Sequence, residues 1–301
     1  METRYASIVA STPEQHRDST GSSTSKLYLF SSYDIVGSAK IRRSDAAYVL
    51  KKETFPRSLI ISKMTPDWIR LSVRTSEEKF TSVTPNLGSY FDSAIILSRG
   101  TQDITVYNAP NHSFISIGIK REIIGDLLLQ RPEMDNDAGH VTYRVSPEFR
   151  VRLIEKMELL LQQSGSENEL NRQIRNCLNL TLDDAAQTEQ LQSPDNRARI
   201  ISLAIESIVN SGGKKISMQT LAENCHCSIR TLEYAFKDKL ELGPKEFLSC
   251  FRLNCYREKI INNPTATLSD IAYDLEYKHL GNLAKNYRKL FGNLPSSSGA
   301  E

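Results

Sequence analysis

The 301-residue chain has no apolar run near the ~18 residues that a membrane-spanning helix needs. Its opening stretch, METRYASIVASTPEQHRD, also lacks the apolar segment of a secretory leader. A cytoplasmic protein with no membrane partner is the expectation. Cysteine is scarce and odd in number, five residues without a regular spacing, which suits a reducing compartment and excludes a disulfide-stapled secreted fold. Glycine (14) and proline (11) are too few for a collagen-like or low-complexity chain. Neither sign of charge prevails, since the net charge is only +2. With 39% hydrophobic and 25% charged residues the composition is that of an ordinary globular protein. The length exceeds what one core usually fills, so two domains are expected, each owning its core.

The common signatures of catalysis are missing as well. There is no glycine-rich phosphate loop after a strand and no Gly-x-Ser-x-Gly elbow. Cys177 is the one cysteine before residue 183, which leaves no Cys–His pair in that half. His16, His112 and His140 stand too far apart for a His-x-His metal set. Cys225, His226 and Cys227, with Cys250 and Cys255 farther on, look at first like a zinc site, but one residue between the first two cysteines is shorter than the usual gap, and packing is the better reading. No catalytic residue, metal or cofactor is therefore expected, and the chain is read as no enzyme.

What the chain does contain is divided unevenly. Residues 197–301 hold 15 Lys and Arg against 11 Asp and Glu, whereas the remainder holds 23 against 25, a weak pointer to a polyanion meeting the C-terminal part. Ser11 to Ser25 has no apolar residue to bury, so residues 1–25 are expected to be a disordered tail. From Lys26 to about Val145 come short β-branched and aromatic runs, KLYLF, SLIISKM, DWIRLSV, SAIILSR, DITVYN, SFISIGI and VTYRV, separated by turn formers such as Pro66-Asp67, Pro85-Asn86, Arg99-Gly100 and Pro110-Asn111. They predict an antiparallel β-sandwich or small barrel. Arg57, Arg70, Arg74 and Arg99 in these segments would suit an anionic ligand, although scattered arginines are more often solvated.

A helix is predicted from Ser146, with Pro147 in its first turn and Leu153, Met157, Leu160 and Leu161 as its apolar stripe. That stripe suits either internal core or a subunit contact. A second helix is predicted over Glu169 to Leu180, and the polar segment 183–196 reads as a linker. Beyond it only helical signals occur. They contain two similar units of short helix, tight turn and longer helix: SMQTLAENC, HC, SIRTLEYAFKDKL and TLSDIAYDL, EY, KHLGNLAKNYRKLFG. In each, a small residue (Ala222, Ala272) permits a close helix crossing, and a Leu with an aromatic four positions later (Leu232 with Phe236, Leu283 with Tyr287) faces inward. This is the pattern of a helix-turn-helix, whose second helix can enter the major groove of DNA.

Two such units about 50 residues apart, joined by one long helix, make residues 197–294 resemble the DNA-binding domain of AraC/XylS-type transcriptional regulators. The residues carrying the resemblance are Ser228-Ile229-Arg230-Thr231-Leu232 with Phe236-Lys237, Leu242-Gly243-Pro244, Phe247-Leu248, Arg252-Leu253, Ser269-Asp270-Ile271-Ala272, Tyr287-Arg288, Phe291-Gly292 and Pro295. His226 and Glu276 stand where that family often has glycine; the change at His226 is tolerable if its φ stays negative, and histidine is among the residues that accept the left-handed region better than most.

The resemblance implies an α+β protein. Its parts are a disordered tail (1–25), a cupin-like β-rich effector or dimerisation domain (26–182), a linker (183–196) and the DNA-binding domain (197–301). It implies double-stranded DNA as partner, and it leaves room for a small-molecule effector, a homodimer and, for an activator, RNA polymerase. Helix geometry exposes Ser228, Arg230, Thr231, Glu233 and Tyr234 in the first unit and Lys278, His279, Gly281, Asn282 and Lys285 in the second as the candidate DNA-binding residues. Arg230 is the candidate for bidentate reading of guanine and Asn282 for adenine. Ser217, Ser228 and Thr267 suit phosphate contacts at helix starts. Two alternatives remain: an N-terminal small-molecule enzyme, or a module controlled by a partner protein, fused to a DNA-binding domain.

Overall fold

A computed structural model describes residues 2–11, 13, 23–76, 80–82, 94–98, 103–130, 140–185 and 196–298. The β-branched runs form β1 (Arg4–Ala10), β2 (Ser23–Leu29), β3 (Gly37–Arg43), β4 (Ala47–Thr54), β5 (Ser58–Met64), β6 (Trp68–Arg74), β7 (Phe80–Ser82), β8 (Ala94–Ser98), β9 (Asp103–Asn108), β10 (His112–Lys120) and β11 (His140–Arg144). They make a seven-stranded sheet, β1-β3-β4-β10-β6-β8-β11, and a four-stranded sheet, β2-β5-β9-β7. Strand alternation sets the two faces of the long sheet. Ile69, Leu71 and Val73 of β6 pair in register with Ile119, Ile117 and Ile115 of β10, and all six are fully buried on one face. Trp68, displaced by one residue, joins Tyr48, Ala39, Ile41 and Leu50 in a separate cluster. Gly118 of β10 is required there, because a Cβ would stand 2.1 Å from the Tyr48 ring.

After a 3-10 turn (Arg121–Ile124) and α1 (Gly125–Gln130) come α2 (Pro147–Gln162) and α3 (Glu167–Ala185). Ser146 caps α2 by accepting from the Phe149 N–H at 3.2 Å, with Pro147 in the first turn where its missing N–H costs nothing. Leu153, Met157, Leu160 and Leu161 are no more than 4% exposed and share one core with Val49, Ile117, Ile174 and Leu178. The stripe is internal, which overturns the reading of it as a subunit contact.

Three further expectations are corrected. Residues 1–25 are not all tail, since Arg4–Ala10 pairs along its whole length with β3 and Ser23 already belongs to β2. Most of β1 is exposed, so its backbone hydrogen bonds hold it rather than burial, and Thr3 and Leu160 both accept from the buried Arg42 guanidinium (3.0 and 2.8 Å) nearby. Residues 1, 12 and 14–22 of the expected tail lie outside the described residues. Helix α3 runs to Ala185, past the predicted end and into the expected linker, whose residues 186–195 lie outside the described ones, as do Pro85-Asn86 and Arg99-Gly100.

The C-terminal helices are α4 (Asn196–Asn210), α5 (Met218–Asn224), α6 (Ile229–Leu240), α7 (Pro244–Asn262), α8 (Leu268–Asp274) and α9 (Leu280–Phe291), with a closing 3-10 turn at Pro295–Ser297. Helix α7 is the beam between the units. Arg252 donates to the carbonyls of Gly213 (3.1 Å) and Leu275 (2.6 Å), Tyr256 to that of Leu268 (3.0 Å), and Arg257 to the Tyr287 hydroxyl (3.2 Å).

The third correction concerns the cores. Helices α2 and α3 cover the long sheet, and among the described residues the apolar face of the short sheet is covered instead by α7. Leu27, Leu29, Phe30, Leu59 and Tyr107 form one continuous core with Phe247, Phe251 and both helical units. Phe30 stacks on Phe247 with centroids 4.2 Å apart, and Tyr28 lies 4.8 Å from Phe251.

Candidate nucleic-acid interface

Both helical units are built by the same local rules. Ser217 and Thr267 cap α5 and α8 by accepting from the N–H groups of Thr220 and Asp270, each at 3.1 Å or less. Leu221, Ala222 and Cys225 of the first unit, and Ile271, Ala272 and Leu275 of the second, are buried beneath Leu232 with Phe236 and Leu283 with Tyr287. The turns repeat bond for bond. The N–H of Cys227 donates to Ala222 and that of Tyr277 to Ala272, while His226 and Glu276 donate to Glu223 and Tyr273.

His226 and Glu276 have φ of +52° and +60°, so His226 does not keep a negative φ and adopts instead the left-handed region that histidine accepts better than most residues. The paired turn bonds and the buried Cys225 and Leu275 impose the left-handed conformation that a glycine would adopt without strain. Cys225 behaves as an apolar residue here, fully buried, with burial pushing its thiol up to about 11.

From the second helices onward the units stand 51 residues apart: Leu232 with Leu283, Phe236 with Tyr287, the left-handed Glu241 with Gly292, and Pro244 with Pro295. One extra residue, Lys278, lengthens the second turn. In the first unit Ser228 caps α6, accepting from the Thr231 N–H at 3.1 Å, and its hydroxyl also lies 2.8 Å from that of Thr231. Ser228, Ser217 and Thr267 thus have their hydroxyls engaged in capping, and the Thr231 hydroxyl is paired with that of Ser228. Arg230, Glu233 and Tyr234 are exposed one turn into the helix. The Arg230 guanidinium donates to the Tyr234 hydroxyl (3.3 Å) and stands 5.5 Å from its ring centre, which holds the arginine along the outer face of α6.

In the second unit Lys278, His279, Gly281, Asn282 and Lys285 are all exposed. His279 occupies the cap position without a side-chain bond. Asn286 and Arg288 are exposed on the same helix and were not among the predicted residues, although Asn286 lies one turn beyond Asn282 and periodicity alone marks it. The candidate residues therefore fall on the solvent faces of α6 and α9. Of the scattered arginines, Arg57 is drawn to Glu241 (3.4 Å) at the end of α6, Arg70 and Arg74 share a face of β6 with Trp68, and Arg99 lies outside the described residues.

A family model described as a helix-turn-helix domain matches residues 221–298. The XylDLEGF operon transcriptional activator of Pseudomonas putida is 35% identical over 88 residues, which are 28% of this chain and 27% of that one. Residues 221–298 are similar to a helix-turn-helix domain. A second P. putida protein, XylDLEGF operon transcriptional activator 2, is 31% identical to the chain over 103 residues, 33% of this chain and 62% of its own length. The chain thus spans less than two thirds of these relatives. Among solved structures, the AraC-like transcriptional activator CuxR aligns over 91% of this chain and 99% of its own with a TM-score of 0.42 and 12% identity.

Proposed function

We propose that the chain is a sequence-specific DNA-binding transcription regulator that reads two successive major-groove faces with α6 and α9, under the control of its N-terminal β-domain. The observation that carries this reading is the duplication: two helix-turn-helix units of matching turn geometry, fixed to one buried helix, each presenting exposed polar residues on the leading half of its second helix. The relatives that share this domain are transcriptional activators, which supports the same reading. In it, residues 26–182 receive the signal and residues 197–301 bind DNA. Arg230 with Tyr234 and Asn282 with Lys285 read bases, and Lys278 meets phosphate. It gives the chain no catalytic step and has it act where the DNA is, in the cytoplasm.

The test is selection of bound fragments from a random DNA library by the purified full chain. Recovery of one enriched motif spanning two major-groove faces, bound at least a hundredfold tighter than random DNA, is expected. Equal affinity for selected and random sequences would overturn the reading. A small-molecule effector is checked separately by native mass spectrometry, where a retained ligand would support control by binding.

A further inference from the structure

Helix α7 carries a residue that its role as a beam does not require. Asn254 is 6% exposed among Leu253, Cys255 and Phe251, where an aliphatic side chain would suit the core better. Its carboxamide is fully used. Oδ1 accepts from the Leu29 N–H at 2.8 Å, while Nδ2 donates to the Leu29 carbonyl and to the Cys250 carbonyl, also at 2.8 Å. Leu29 ends β2, an edge strand of the short sheet, and among the described residues no strand neighbours its outward N–H and carbonyl. The side chain supplies both bonds that a neighbouring strand would have made. Of the side chains that fit this space, a carboxamide offers an acceptor and two donors together; aspartate would set an acceptor against a carbonyl, and leucine would leave both backbone groups buried and unpaired.

A second bond of the same kind lies at the other end of the contact. The buried Tyr107 of β9 donates to the carbonyl of Leu240, the last residue of α6, at 3.0 Å. This carbonyl is one of those a helix end leaves unsatisfied. The ion pairs beside it, Arg57 with Glu241 at 3.4 Å and Lys26 with Glu258 at 2.8 Å, involve partly exposed groups and contribute little. Leu240 lies ten residues beyond Arg230, roughly 15 Å along the helix. The sheet therefore grips the first unit at the end away from its exposed leading half and covers none of the candidate reading residues.

We propose that Asn254 and Tyr107 are positioning residues, a tether through which the short β-sheet fixes α6 and α7 in the arrangement that lets both units reach DNA together. This inference rests on the DNA-binding reading above. It makes the β-domain a working part of the DNA-binding assembly, so that an input altering β2 or β9 reaches DNA through two hydrogen-bonded points.

The test uses Asn254→Leu and Tyr107→Phe in the full chain, singly and together, with two readouts. Hydrogen exchange at the Leu29 amide reports the tether without DNA; it is expected to quicken at least tenfold in Asn254→Leu. Affinity is then measured for the full selected site and for a half-site holding the bases of the first unit alone. The double variant is expected to lose about tenfold on the full site and nothing on the half-site, a split that general loss of structure would not produce.

Quickened exchange with undiminished full-site affinity would overturn the positioning role, and unchanged exchange would remove the tether itself. Where Asn254→Leu fails to fold, Tyr107→Phe, which keeps the ring packing, decides by the same affinity split. A wild-type chain that shows the protected Leu29 amide but no preference for any DNA sequence would sink the DNA-binding reading, and positioning with it, while leaving the contact standing.

Discussion

His226 and Glu276 are turn residues with side chains in a conformation that costs an L-residue roughly 1–2 kcal/mol. Glu276 has a return on that strain, because its carboxylate accepts from the Lys215 N–H at 3.3 Å, whereas His226 is exposed and its side chain adds no bond to the turn. His226→Gly is therefore expected to stabilise the C-terminal domain by about 1 kcal/mol, read as a rise in the denaturant midpoint at constant slope; a fall would show that the turn is not left-handed. His112 gives the pH dependence of the other half. Burial, aided by Arg74, pushes its imidazole down to about 3, so it stays neutral in the fold and protonates near 6.5 once the chain unfolds. Its contribution is present above pH 6.5 and is lost as pH falls toward 3, by about 1.4 kcal/mol per pH unit. Denaturant titrations of wild type and His112→Phe between pH 7 and 4 should diverge with that slope, and parallel curves would refute it. For direct readout, Arg230→Ala should lose ~1 to 3 kcal/mol on the selected site and much less on random DNA, measured by titration at fixed salt. Equal losses on both would make Arg230 a phosphate contact.

The elements differ in how far their sequence announces them. Helices α5, α6, α8 and α9 are legible because their determinants are local: a Ser or Thr cap on the first three, a small residue at the crossing, and a Leu with an aromatic four positions on. Strand pairing is not local, and nothing in KLYLF says that its outer edge meets Asn254 more than 200 residues away. The segment RYASIVA is not legible as a strand for a related reason, since β1 is mostly exposed and burial pattern is the signal by which strands are read. The stripe on α2 was legible as apolar, but its partner was not, because core and subunit contact use the same residues. Its location in the core makes a prediction. Met157→Ala should destabilise the β-domain by about 2 to 5 kcal/mol through the cavity it leaves and should not change the mass in solution. Calorimetry with sedimentation checks both, and a dissociated, folded variant would return the stripe to a subunit interface.

At the scale of the molecule, the two halves share one core, a join that composition alone does not reveal, because the boundary is polar in sequence while the contact forms elsewhere. A fragment of residues 195–301 keeps both helix-turn-helix cores but uncovers Phe247, Phe251 and Asn254. It is expected to fold with a lower melting temperature than the same domain in the full chain, and an equal melting temperature would mean that the short sheet adds nothing. The proposed function has one chain read two grooves with α6 and α9 on one beam. It is tested most directly by footprinting Arg230→Ala and Lys285→Ala on the selected site at base-pair resolution. Each variant is expected to lose protection at its own base pairs, the two sets lying about one helical turn, roughly 34 Å, apart along the duplex. Loss of protection at the same base pairs in both variants would contradict it.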